Sequence, residues 1–422
     1  MEKSRNEAIF MVDFDGAGER ALSLARQLSY VREAGTEPER RAAGTFAREL
    51  RVCALEPALE PFSFETRVQT AAGLAVTAPY EKTYPVSAYL GAGDTPPDGV
   101  SAPFVYVEDG DEVSLSLAGG CIAMRNGRVG PEEYRRLAEA GAAGFLSVGG
   151  SPVDEGEDRR PVDRELRRVR DARLPGASIH CLDARELLER GASAARLTVR
   201  QETVRRQSQN VTARIPGRER PQEVVCLSAH YDSVPAGPGA YDNLAGAVIA
   251  LEAARYFAAH PLRRSVQLCL FGAEEKGLRG SLAFADAHAA ELDNYYVNLN
   301  VDLAGQPIGG TVLGVTADES LCRALGEILR REKLGASIQN KVWASDSNTF
   351  ALHGVPALTL NRDGYGMHTR RDTPELLSAW SLAREIRLLT ALAEGLDALP
   401  DGAFTRALPE AMREKLTDYF AD

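Results

Sequence analysis

The most constraining feature of this 422-residue chain is an apolar, β-branched run that stops abruptly at a histidine. Val224-Val225-Cys226-Leu227-Ser228-Ala229 reads as a buried strand. His230 and Asp232 follow at its end, and a Gly/Pro-rich loop then delivers Asp242-Asn243 to the start of an apolar helix near Gly246. Ligand-type side chains at a strand end that feeds a helix belong to the rim of a parallel sheet. Whatever else the chain does, it has to build an α/β domain around this strand.

The flanking sequence agrees. Beyond Ser208 strand-like runs are expected at 210–215, 223–228, 265–271, 295–301, 311–315, 339–343 and 356–360, alternating with helices at 246–259, 278–290 and 319–331. Upstream, an amphipathic helix is expected over 17–31. Thr36-Glu37-Pro38-Glu39 predicts a second helix running to about Leu50, with Thr36 as N-cap and Glu39 closing a capping box. Alternating sequence around Phe62–Val68 then reads as strand. From Pro79 to about Arg205 the texture is that of a separate small domain, with short strands at 104–107, 121–124, 144–148 and 174–180 and helices at 132–140 and 183–190. The expected division is therefore 1–75, the N-terminal helical part of the main domain; 76–205, a separate small domain; and 206–422, the main α/β domain. The mixed charges of 154–173, including Arg167, Arg168 and Arg170, read as a solvated segment, and 409–420 as a peripheral amphipathic helix.

Forty-nine basic against sixty acidic residues, a net charge of -11, argue against nucleic acid or an anionic membrane as partner. No run approaches the ~18 apolar residues of a membrane span. Met1–Glu7 has no apolar leader core, which predicts a cytoplasmic protein. Six scattered cysteines without CxxC spacing read as small hydrophobes in a reducing compartment.

Successive strands end in polar bursts: His230 with Asp232, Glu274-Glu275, and Asp302. Downstream stands Met367-His368-Thr369-Arg370-Arg371-Asp372. Carboxylates converging on one sheet rim repel unless cations neutralise them. Two His, two Asp and a Glu suit a pair of divalent, zinc-like ions with positions left open for water and substrate. Each residue also has a bland reading. His180, His260, His288 and His353 are taken as surface or satisfied core residues, Asp318 and Glu319 as helix-start acids, and Trp343 and Trp380 as core or interface aromatics. Asp372 either caps a helix after Pro374 or supports His368, with the second preferred.

The motifs A-H-Y-D-S, G-A-Y-D-N-L-A-G, G-A-E-E-K-G-L-R-G-S, N-V-D-L-A-G and H-T-R-R-D-T, in this order over about 206–400, resemble the M28 co-catalytic zinc aminopeptidases. The resemblance implies a three-layer α/β/α mixed-sheet zinc exopeptidase fold with a smaller protease-associated (PA) domain inserted at 76–205. It implies two zinc ions: His230 and Asp302 on one, Glu275 and His368 on the other, and Asp242 bridging. Glu274 becomes the general base acting on a water shared by the metals, with a peptide as substrate and its N-terminal residue as the group released. Asp232 orients His230, and a cis peptide is expected at Asp242-Asn243. Where some members place a Tyr before the last His, this chain has Met367, so Tyr365 is the candidate oxyanion donor. Asp346 matches an acid near the substrate end. A dipeptidase or glutamate-releasing carboxypeptidase shares this metal set. A glutaminyl-cyclase-type enzyme uses one zinc, against which an intact His230 speaks, and a metal-free scaffold would have shed ligands that are present here.

Overall fold

The computed structural model describes residues 13–421, apart from 168 and 170. The start of the chain, on which the leaderless reading rests, lies outside the described residues, as do Arg168 and Arg170 of the charged segment. Two compact units emerge. One joins the chain up to Phe64 to Arg206–Phe420; the other is Glu65–Arg205. The boundary expected at 75/76 falls inside a long strand, Pro57–Ala78, and the chain returns through a second, Ala194–Ile215.

In the first unit the strands lie in the order Ser337–Asn340, Thr311–Thr316, Ala357–Arg362, Tyr295–Val301, Arg220–His230, Arg264–Phe271 and the 211–215 end of Ala194–Ile215. Arg220–His230 pairs in parallel with both neighbours, and Tyr295–Val301 in parallel with Ala357–Arg362. Thr311–Thr316 and the 211–215 segment run antiparallel to theirs, so the sheet is mixed. The strand ending at His230 is thus where the strand order reverses, a place where loops leave in opposite directions and open a crevice at the carboxyl rim.

Side chains alternate between faces along a strand. Val225, Leu227 and Ala229 join a core with helices Phe14–Gln27, Glu37–Val52, Ala245–Ala259, Glu319–Glu332 and Ala379–Asp397. Val224 and Cys226 face the other way, toward Phe284, Phe350 and Leu416 of helices Arg279–Ala287, Ser347–Leu352 and Glu410–Phe420. Apolar side chains on both faces require helices on both, which is the three-layer arrangement. Among the described residues no helix is long and apolar enough to cross a membrane.

The unit Glu65–Arg205 has its own two-faced sheet. Val100–Tyr106, Ile122–Asn126, Gly144–Gly149 and Gly176–His180 run parallel, with helix Pro131–Glu139 between the second and third and helix Cys181–Glu189 after the last. Ile122 and Met124 belong to one core, Ala123 and Phe145 to the other. His180 is a satisfied core histidine here, set 3.2 Å from Asp154 and accepting from the Leu182 amide.

Several local expectations are corrected. The first helix ends at Gln27 rather than near Val31. The capping box at Thr36 does not form: Glu39 turns to the Gly35 amide and the Ser208 hydroxyl, because the helix start packs inward and those donors need an acceptor. The expected 339–343 strand is Ser337–Asn340, with the Trp343 ring folded back over Gly314. Trp380 is 61% exposed and therefore not a core residue.

Candidate active site

His230 is the last residue of its strand and is buried, with its ring nitrogens aimed at four carboxylates. Nε2 lies 3.2 Å from Asp242, 3.5 Å from Asp302 and 3.9 Å from Glu274; Nδ1 lies 3.4 Å from Asp232, close enough to attract without a formed hydrogen bond. The second oxygen of Asp242 is 3.0 Å from His368 Nε2, which is in turn 3.2 Å from Glu275. The result is two ligand-type triads, His230/Asp242/Asp302 and Asp242/Glu275/His368, that share one carboxylate.

Each ligand is placed by its own local device. The peptide Asp242-Asn243 is cis, as the sequence led us to expect. Gly239 precedes it at a φ of 57°, a left-handed turn where glycine is unstrained. Asn243 bonds the Val301 carbonyl and caps Gly246, where any Cβ would strike both the Asn243 side chain and the Val301 oxygen. Asp372 does not support His368, nor does it cap the following helix. Its carboxylate accepts from the amides of Tyr241 and Asp242, so it holds the shared ligand through the backbone.

Asp232 has a further task beside His230: its two oxygens accept from the amides of Glu274 and Glu275. Those glutamates leave a turn. Ala273 adopts a left-handed φ of 55°, and the amides of Gly277 and Leu278 close back on Glu274. The turn sends Glu274 toward His230 and Glu275 toward His368. Asp302 is oriented by a relay that sequence reasoning missed. Asn298 donates to Ser228, Ser228 to Asn300, Asn300 to Ser345, and Ser345 to Asp302 at 2.6 Å. Its only sequence signal is polar residues at strand positions that face a core.

Asp346 is buried behind this network with neither carboxylate oxygen hydrogen-bonded. Tyr365 is not brought into either triad: its side chain is 70% exposed, and its backbone N–H and C=O are both bound by the Gln306 amide.

The electrostatics are those of a site short of positive charge. Burial would strip the proton from His230, but Glu274, Asp232, Asp242 and Asp302 together hold it on, well above the ordinary range. Burial likewise opposes the charge on His368, yet Asp242 and Glu275 push its pKa up to about 11. Burial raises Glu274 well above the carboxylate range despite His230, with Glu275, Asp346 and Asp302 adding to it. Burial lifts Asp346 to about 7 against the pull of His230. So many buried carboxylates facing two imidazoles favour whatever positive charge can be brought among them. Mixed imidazole and carboxylate donors in two triads with a common oxygen-bearing residue fit a pair of divalent ions, which would displace those protons.

Residues 210–393 match the family model described as Peptidase family M28, the stretch that holds every residue of both triads. This stretch is an M28 peptidase domain. The chain is accordingly a hydrolase of peptide bonds. It is 28% identical over 357 residues to Aminopeptidase YwaD of Bacillus subtilis, covering 82% of this chain and 72% of that protein. A shorter stretch of 159 residues is 30% identical to Carboxypeptidase Q of Rattus norvegicus, covering 37% of this chain and 34% of that protein. The solved structure of BSAP, a zinc aminopeptidase from Bacillus subtilis, superposes with a TM-score of 0.76 over 89% of this chain and 94% of that one. At 24% identity that likeness speaks for the fold.

Proposed function

We propose that this M28 peptidase is an aminopeptidase with a two-zinc centre. The observation that carries the reading is Asp242, whose two oxygens face different imidazoles, each beside a further carboxylate. His230 and Asp302 would hold one ion, Glu275 and His368 the other, and Asp242 both. Bound there, the ions would lower the pKa of a water and polarise the scissile carbonyl. Glu274 carries the proton: it takes one from the attacking water and passes it to the leaving amine, a role suited to a buried carboxyl whose proton affinity is already raised. Asp232 keeps the Glu274-Glu275 turn against His230, and Asp372 keeps Asp242 in place. The likeness to Aminopeptidase YwaD supports release of N-terminal residues. Residues 76–205 are read as a PA-type insert, on the strand-helix-strand order of that segment.

Hydrolysis of aminoacyl-p-nitroanilides by the zinc-loaded protein, suppressed by a chelator and restored by zinc, is the expected result. The match to Carboxypeptidase Q favours one rival, removal of C-terminal residues from the same metal site. Activity confined to peptides with a free C-terminus and a blocked N-terminus would overturn the aminopeptidase reading.

A further inference from the structure

Arg32 lies in the short connection between the first two helices, and its side chain is fully buried. A buried guanidinium usually faces a carboxylate, because removing its charge from water costs several kcal/mol otherwise. Here every hydrogen bond of the group goes to a backbone carbonyl. Nε donates to Tyr231 at 2.7 Å and Nη2 to Gly239 at 3.1 Å. Nη1 is shared among Leu28, Tyr30 and Pro238. The Arg32 amide donates to Ser233 Oγ, and its carbonyl accepts from the Ser233 amide.

Three of the five carbonyls, those of Tyr231, Pro238 and Gly239, belong to the loop that separates His230 from Asp242. That loop is folded around the guanidinium as peptide folds around a bound cation. Without Arg32 the inward-turned oxygens would be buried acceptors with no donor, costing about 1–3 kcal/mol each, and the loop would have to open. The next residue reaches the other ligand turn: Glu33 pairs with Lys276 at 3.0 Å, beside Glu275. Burial lowers the Arg32 pKa to about 10, with Asp232 first among the groups opposing it, so the side chain is cationic at neutral pH.

We infer that Arg32 is a positioning residue of the metal centre: wrapped by the 231–239 loop, it fixes the spacing of His230 and Asp242 before any ion arrives. The inference rests on the two-metal reading. It assigns Arg32 no contact with substrate and no proton transfer. What it predicts is a loss of metal affinity when the loop is released.

The test compares the wild-type protein with Arg32→Met and Arg32→Lys, titrating each metal-free protein with cobalt(II) and following the absorption bands of the bound ion, with zinc affinity taken from competition with a chelator. The expected result is binding about 10–100-fold weaker in Arg32→Met. Cobalt bands should be altered. Arg32→Lys keeps the charge but not the planar fork, and should fall between. Should Arg32→Met fail to fold, Arg32→Lys carries the test through amide hydrogen exchange at 231–240, which should quicken there ahead of the rest of the sheet. Wild-type affinity and bands in a folded Arg32→Met, or exchange in Arg32→Lys no faster at 231–240 than elsewhere, would overturn the inference. A wild-type protein that takes up no metal would remove the two-metal reading itself, and this inference with it.

Discussion

The two triads that share Asp242 differ in surroundings more than in chemistry. His230 is 1% exposed and stands at the end of a central strand, with Asp302 fixed by a relay of four buried hydrogen bonds. His368, by contrast, is 48% exposed and comes from a loop without regular structure. That loop is held by Gln306 on one side of the histidine and by Asp372 on the other. The sheet therefore builds one half of the centre, and a surface loop completes the other. On the two-metal reading proposed above, a rigid half would define geometry before a metal binds, and a looser half would cost more ordering when its ion arrives and give solvent and substrate a way in.

The comparison can be broken at its hinge. Asp242→Ala should empty both halves, and elemental analysis should find metal lost together with nearly all turnover; retention of one full ion would mean that the halves are not joined through this carboxylate. Glu274→Gln should keep the metal content and lower kcat by about 10²–10⁴-fold, since only the proton transfer is removed. Near-normal turnover would take Glu274 out of that role. His368→Ala should weaken one ion far more than the other. Calorimetric titration should show one affinity near wild type and one reduced; equal losses at both would erase the asymmetry. Asp372→Asn, which places an amide N–H₂ or a single oxygen against two backbone donors, should cost about 10-fold in metal affinity.

The smallest effect concerns charge on the buried side. Burial raises Glu39 to about 8, with Asp232 adding to the rise and Ser208 and the Gly35 amide opposing it. Its ordinary value is 4.5. Between those values the folded metal-free protein holds a proton that the unfolded chain has released, so stability falls as pH rises through this window and levels off above about 8. The slope contributed is at most about 1.4 kcal/mol per pH unit. Glu39→Gln should flatten it in denaturant unfolding measured from pH 5 to 8. An unchanged slope would mean that Glu39 is already ionised in the fold.

Part of the site was legible because several candidate ligands follow strand ends, where an apolar run breaking at His230, Phe271 or Val301 marks the rim. Glu274 and Glu275 are visible in the sequence as a pair, but their divergence is produced by a left-handed Ala273 that no local pattern announces. Asp372 was noticed and misassigned, since its partners are amides 130 residues earlier that no local pattern reveals. Ser345 lies in none of the motifs and Asn300 opens one without a role of its own, so only the relay gives them meaning. Trp380 was read from its type alone, and its exposure depends on which face of its helix meets the sheet.

By itself the sequence determined which residues could bind cations and in what order along the chain, and that a two-faced sheet must be covered by helices on both sides. Alternation and abrupt strand ends are local properties, so they survive in one dimension. Only the tertiary structure decided that one aspartate turns its two oxygens to different histidines, that one half of the centre is buried while the other opens to solvent, and that a cation from the first fifty residues lies inside the loop between His230 and Asp242. Those outcomes depend on desolvation and on hydrogen bonds between segments far apart in the chain, which exist only once the layers have packed.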